Sequence, residues 1–395
     1  MKVVFVSNYY NHHQSAISEE FYKQTGGHYY FIQTETMSVE RKNMGWGQNL
    51  LPRFVMESYK DKETYKRCID LINSADVVIA GSAPEKMIRK RIRSGKLVFR
   101  YSERIYKNKK KLLLLPLRYV KYHFDNYPYK NVYMLCASAY AARDYAITGM
   151  FKGKTFKWGY FPAVKKYENI KKLIDDKNNV SILWTARFID WKHPELPIRI
   201  AKRLKQAGYK FQLSLIGNGE LESEIRELIK SEGVEDCVTM LGAMKPEEVR
   251  KYMEQSEIFL FTSDFNEGWG AVLNESMNSA CAVVASHAIG SVPFLIDDGE
   301  NGFIYKNGDE GDLFNKVKFL LDNPEKRKEM SLKAYKTMTE IWNADVAAQR
   351  FLTLAKDLNN GRRVDNLYID GICSKSLKLQ NEWYEKESRN YNSLL

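Results

Sequence analysis

Short runs of β-branched and aliphatic residues recur through this chain, each separated from the next by enough residues for one helix. KVVFVS, YYFIQT, ADVVIAG, KLVFRYS and NVYMLCAS occupy the first half, and VSILWTA, FQLSLIG, CVTMLG, IFLFTS and CAVVAS the second. The runs are nearly continuous in apolar character rather than alternating, the signature of parallel strands buried on both faces. Amphipathic stretches such as APEKMIRKRIR, PELPIRIAKRLKQAG and PEEVRKYMEQ lie between them. Parallel neighbours require a crossover, and a helical one makes the architecture α/β and doubly wound. The first crossover helix is expected over Ser15–Gln24, with Ser15 as its cap.

A length of 395 residues exceeds what one core usually serves. The break is expected in the polar, Lys-rich stretch between Phe161 and Asn179. The expected organisation is a first α/β domain over 1–165, a linker over 166–179, a second α/β domain over 180–358 and a tail over 359–395 able to pack back on the first domain. Open sheets of this kind bind ligands beyond the carboxyl ends of their strands, so two facing domains would place a cleft there.

Composition narrows the class. The longest aliphatic run, Leu112 to Leu115, is far short of the roughly 20 residues that span a bilayer. The N-terminus lacks the length and cleavage site of a signal peptide. Five cysteines stand apart with no C-x-x-C pair, which suits a reducing compartment and argues against a disulfide framework or zinc site. A cytoplasmic location, peripheral at the inner face of the plasma membrane, is the expectation. The formal charge of +12 is unevenly spread. Residues 1–178 hold 33 Lys+Arg against 16 acids, and residues 179–395 hold 28 against 33. From Lys86 to Lys121 there are fourteen cations and one acid, Glu103, interleaved with leucines and aromatics. Such a mixture suits an anionic membrane surface, contacted through residues 86–121. A solvated basic helix with its leucines in the core is the plainer reading. No nucleic-acid motif accompanies the charge.

The densest chemical signal is SDFNEGWGAVLNESMNSACAVVASHAIGSVPFLIDDGENGF. Glu267 and Glu275 bracket a Gly-rich turn and a helix start. Gly268 and Gly270 let backbone approach a ligand, and the helix beginning near Ala271 offers amide donors to an anion. Trp269 can pack beneath the loop or meet a ligand. Upstream, WTARFIDWKHPE sets Arg187 and Lys192 five residues apart at a strand-to-helix connection, where two cations could receive a diphosphate. LIGNGE places Gly217 and Gly219 at another strand end. No D-x-D or other metal-ligand pattern is visible, and neither a metal nor a cofactor is expected.

Together these residues resemble the signature of the retaining glycosyltransferases of family 4, in which Glu, seven residues and Glu occur as E-G-[FW]-G-x-x-x-x-E, here EGWGAVLNE. WTARFIDWK, LIGNGE and DDGENGF resemble the family's supporting motifs in the same order. The resemblance covers most of residues 180–330 and the first half only loosely. It implies a GT-B fold of two facing Rossmann-like domains and metal-independent, retaining transfer from a UDP- or GDP-sugar. It also implies a saccharide or lipid-linked acceptor, with capsule or exopolysaccharide assembly as the setting. By the same resemblance Glu275 would bind the ribose hydroxyls, Glu267 the donor sugar, and Arg187 with Lys192 the diphosphate.

The first domain departs from that pattern. Where family members carry a Gly-Gly loop, this chain has SNYYNHHQS, which makes Asn8, His12 and His13 candidates for cleft contacts. Glu103, after KLVFRYS, matches the position of the family's mid-domain His or Asp and is the candidate to assist the acceptor hydroxyl; an ion pair with Arg100 or Arg104 is its structural alternative. Two competing functions remain: a noncatalytic membrane-surface scaffold, which would be expected to have lost Arg187, Lys192, Glu267 or Glu275, and a nucleic-acid-binding protein.

Overall fold

A computed structural model describes residues 1–38, 50–107, 109–177 and 180–385, with side chains omitted at 109–111. Two compact units form: Met1–Ala163 with Trp342–Gln380, and Val164–Ile341 with the segment from Asn381 onward.

The first unit holds a seven-stranded sheet: β1 Val3–Ser7, β2 Tyr29–Gln33, β3 Val55–Glu57, β4 Val77–Ala80, β5 Val98–Ser102, β6 Val132–Cys136 and β7 Thr155–Lys157. Its order is β3-β2-β1-β4-β5-β6-β7, and the pairings are parallel. The winding reverses between β1 and β4, so chain leaving β1 and β4 diverges and opens a crevice. β1 and β4 are buried along their whole length, as continuous apolar runs require when helices cover both faces.

The first helix runs over His12–Gln24, three residues earlier than the sequence reading placed it. Asn11, not Ser15, is the cap: its side chain accepts from the His13 amide at 2.9 Å. Ser15 instead donates to the His12 carbonyl at 2.9 Å from inside the first turn. Both residue types cap well, and Asn11 has the extended backbone that a cap needs.

The helix Ala344–Asn359 belongs to the first unit rather than to the second domain, where the sequence reading had set it. Its apolar face carries Phe351, whose ring lies 5.3 Å from Phe21, 5.0 Å from Phe99 and 5.7 Å from Trp158. The chain then runs antiparallel to β7. Lys157 N donates to Ser374 O at 2.8 Å and Ser376 N to Thr155 O at 3.0 Å, closing an edge that would otherwise stand open.

The second unit holds six strands: β8 Ser181–Thr185, β9 Gln212–Ile216, β10 Val238–Gly242, β11 Ile258–Phe261, β12 Ala282–Ser286 and β13 Phe303–Tyr305. The order is β10-β9-β8-β11-β12-β13, again all parallel. The switch point lies between β8 and β11. β13 was not foreseen, because three residues inside a turn-rich segment carry too little periodicity to declare a strand. Its core gathers Trp184, Ile198, Leu204, Leu215, Ile258 and Val284.

Candidate functional site

The carboxyl ends of β8 and β11 gather the charged residues of the second unit. β8 ends at Thr185, and the chain passes through Arg187 and the single turn Asp190–Lys192 before helix Glu195–Gln206. β11 ends at Phe261 and leads through Ser263 and Asp264 to Glu267. The Lys192 ammonium pairs with Glu267 Oε2, and Ser263 donates to the same oxygen at 3.0 Å. Lys192 also lies 4.4 Å from the Trp191 ring centroid. Thr262 binds the loop from below, donating to Lys192 O at 2.7 Å while accepting from the Trp184 indole at 2.8 Å. Glu267 and Lys192 are therefore brought together from residues 75 apart in sequence. Arg187 is exposed, with no ion-pair or hydrogen-bond partner for its guanidinium among the described residues.

Gly217 and Gly219 act through close backbone approach. A Cβ on Gly217 would stand 1.9 Å from Ala186 O, and one on Gly219 2.3 Å from Phe188 O. Only glycine lets this loop lie against the Arg187 segment, where Phe188 N donates to Asn218 O at 2.8 Å. Gly270 takes φ +85°, and a Cβ there would meet the Phe261 ring at 2.4 Å. Gly268 is buried in the same turn.

Trp269 takes the packing position that the sequence reading allowed. Its side chain is wholly buried and its indole N–H donates to Asn274 Oδ1 at 2.9 Å, so it braces the turn from beneath. Glu275 lies in the first turn of helix Val272–Asn278. Burial raises its pKa, partly offset by Arg250, and no hydrogen-bond donor reaches its carboxylate among the described residues. It is an acceptor with its capacity uncommitted.

Sequence reasoning missed His193 and Asp264. His193 sits at φ +52°, with Nδ1 3.0 Å from Glu195 Oε1 and Nε2 3.8 Å from Asp264 Oδ2. These two carboxylates push its pKa up to about 9, which keeps it cationic at neutral pH. The neighbouring acids at Glu195 and Asp264 were the available signal, but only the fold brings Asp264 to the ring. His287 is structural: its Nδ1 accepts from Asn307 N at 2.9 Å and its other nitrogen meets Asn381 O at 3.2 Å.

In the first unit, a cavity of about 410 Å³ opens beyond β1, β4 and β5, lined in part by Asn8, Ser82, Glu85, Arg100, Glu103 and Tyr160. Of the sequence candidates, Asn8 and Glu103 line it. Glu103 accepts from Tyr160 Oη at 2.7 Å and Lys107 Nζ at 3.1 Å. The arginines suggested as its partners face other acids: Arg100 holds Glu85 at 2.8 Å and Arg104 lies 3.5 Å from Asp144. Both arginines are buried, and each is nearer a different acid. His12 and His13 stack at 3.8 Å between centroids, and the His13 ring lies 5.4 Å from Tyr160. Burial, then the neighbouring His12, pushes the His13 pKa down to about 3, so the ring is neutral near pH 7.

The basic segment 86–121 is only partly a surface. Arg91 is wholly buried and donates to the carbonyls of Ile72, Ala75, Asp76 and Leu97, while Arg100 and Arg104 turn inward to acids. Lys86, Lys90, Arg93, Lys96 and Lys121 are exposed. The side chains of Lys109, Lys110 and Lys111 lie outside the described residues. Among the described residues no helix is long and apolar enough to cross a membrane.

Two Rossmann-like units, each with a parallel sheet and its own switch point, make an architecture of the GT-B type. Anabaena HepE, solved in complex with UDP, superposes with TM-score 0.67 at 14% identity over 90% of this chain and 100% of its own. Residues 165–337 match the family model described as glycosyl transferases group 1. Amylovoran biosynthesis glycosyltransferase AmsK of Erwinia amylovora is 33% identical over 133 residues, 32% of each chain. N-acetylgalactosamine-N,N'-diacetylbacillosaminyl-diphospho-undecaprenol 4-alpha-N-acetylgalactosaminyltransferase of Campylobacter jejuni is 34% identical over 153 residues, 39% of this chain and 40% of that one. The matched stretch thus spans well under half of these relatives' length.

Proposed function

We propose that this protein is a metal-independent, retaining hexosyltransferase. It moves a sugar from a UDP- or GDP-sugar to a saccharide or lipid-linked acceptor in bacterial polysaccharide or glycoconjugate assembly, working at the cytoplasmic face of the membrane. The observation that carries the reading is the Lys192–Glu267 pair, which joins the loops following β8 and β11, with Arg187 on the first of those loops and Glu275 in the first turn of the helix after the second. The comparisons support the setting: one relative's name specifies a diphospho-undecaprenol acceptor and another's amylovoran biosynthesis, and the HepE complex holds UDP.

In this reading Arg187 and Lys192 receive the diphosphate, whose charge grows as the glycosidic bond breaks, and their attraction rises in step. Glu275 accepts from the two ribose hydroxyls. Glu267, held by Lys192 and Ser263, meets the donor sugar. The acceptor hydroxyl attacks from the face that the leaving phosphate vacates, and a phosphate oxygen takes its proton. Glu103 braces the electron-deficient sugar or orients the hydroxyl. Asn8 and the His12–His13 pair border the acceptor.

Calorimetry with UDP, GDP and their glucose conjugates tests the reading. Wild-type protein is expected to bind one nucleotide series, and Arg187→Ala and Glu275→Gln to weaken it at least ten-fold. Arg187 is exposed and Glu275 unbonded, so neither change removes a packing contact. Unchanged affinity in both variants would overturn the assignment. A scaffold protein would bind no donor at all.

A further inference from the structure

The 3-10 turn Lys109–Leu114 and helix Leu115–Asn126 present their apolar residues outward. Leu113, Leu117, Val120 and Phe124, spaced by four, three and four residues, form one stripe along the helix. They are 82%, 70%, 68% and 60% exposed, and Tyr127 continues the line just past the helix end. Such a stripe is the pattern of a core-facing helix, so the plain expectation that these leucines enter the core is reversed here.

The opposite face does the packing. Asp125 and Asn126 are buried; Asn126 Oδ1 accepts from Arg100 Nε at 2.8 Å, and Asp125 lies 3.6 Å from Arg89. The Tyr122 ring lies 5.4 Å from Tyr145. Arg89 also covers the Phe124 ring at 5.0 Å, which sets helix Glu85–Arg93 alongside. That helix contributes exposed Lys86, Lys90 and Arg93, and exposed Lys130 follows three residues after Tyr127. The local acids are taken up: Glu85 by Arg100 and Asp125 by Lys121 at 2.5 Å.

We infer that the Leu112–Tyr127 face is a monotopic docking surface that enters the interface of an anionic bilayer. Charge complementarity selects this occupant: an exposed apolar stripe bordered by cations whose nearby acids are already paired fits headgroup phosphates above acyl chains. A stripe of this size costs solubility unless something covers it. Tyr122 and Asn126 also line the cavity beyond β1, β4 and β5, so docking brings that cavity within about one helix diameter of the bilayer. If the transferase reading holds, the acceptor it takes is one whose apolar part stays in the membrane.

Vesicle co-sedimentation without donor or acceptor reads docking alone, so its outcome is separate from the nucleotide-binding test. Wild-type protein is expected to pellet with vesicles of equal phosphatidylcholine and phosphatidylglycerol, and poorly with phosphatidylcholine alone. Replacing Leu113, Leu117, Val120 and Phe124 together by Gln is expected to lower the bound fraction at least ten-fold, while Lys171→Glu with Lys172→Glu on the second unit leaves it unchanged. Wild-type-like pelleting of the Gln variant would overturn the inference. All five native cysteines are buried, so a nitrobenzoxadiazole label at Val120→Cys reports this site selectively. Its emission is expected to shift to the blue on anionic vesicles; an unshifted label would also overturn it. So would a solution dimer that Leu117→Glu dissociates, because a second copy would then be the occupant.

Discussion

At the scale of single residues, the Lys192–Glu267 pair shows how burial gives a candidate binding residue a structural share as well. Both side chains are nearly buried, so removing the cation strands a carboxylate, a change that costs about 3 kcal/mol in such settings. Lys192→Ala should therefore lower the unfolding free energy of the second unit by about that amount. Lys192→Ala with Glu267→Ala should recover part of it, and a double-mutant cycle in denaturant measures the coupling. His193 has a pH signature. Asp264 and Glu195 raise its pKa to about 9, above the ordinary value near 6.5. The stability it supplies is fully present below about pH 6.5 and lost as pH rises through about 9. His193→Asn, which tolerates the positive φ, should flatten that decline, worth on the order of 2 kcal/mol. Thermal melts between pH 6 and 10 would show equal slopes if the contact is inert.

Elements obey backbone geometry more than side-chain chemistry. Gly217 and Gly208 both take positive φ, but a Cβ at Gly208 meets open space and one at Gly217 meets a carbonyl at 1.9 Å. Gly208→Ala should cost about 1 kcal/mol from φ alone, and Gly217→Ala severalfold more, with loss of donor binding because the Arg187 loop must move. Equal melting points would refute that distinction. The strand-end glycines were visible in LIGNGE, but what they approach was not, since Ala186 and Phe188 lie some thirty residues earlier. The outward stripe of helix Leu115–Asn126 teaches the same lesson: a period of 3.6 residues reveals that a helix has an apolar face, while only the neighbours decide which way it points. Arg91, Arg100 and Arg104 were counted as surface charge for the same reason; nothing local reveals that Ile72, Ala75 and Leu97 offer carbonyls to an interior guanidinium.

Over the whole molecule, the last described segments are shared out between units. Helix Ala344–Asn359 packs Phe351 among Phe21, Phe99 and Trp158, so Phe351→Ala should cost the first unit about 4 kcal/mol. A chain ending at Ile341 should lose cooperative unfolding of the first unit, while residues 164–341 keep a protease-resistant fragment. Survival of both units to limited proteolysis would contradict this. The sequence by itself determined the α/β class, the two sheets and the motif loops after β8 and β11, because strand burial, helix periodicity and glycine turns are local properties. Tertiary structure alone decided that Lys192 meets Glu267 and that a helix late in the chain completes the first core. Those pairings bridge tens to hundreds of residues, and their free energy comes from desolvation and packing that exist only once the sheets have formed.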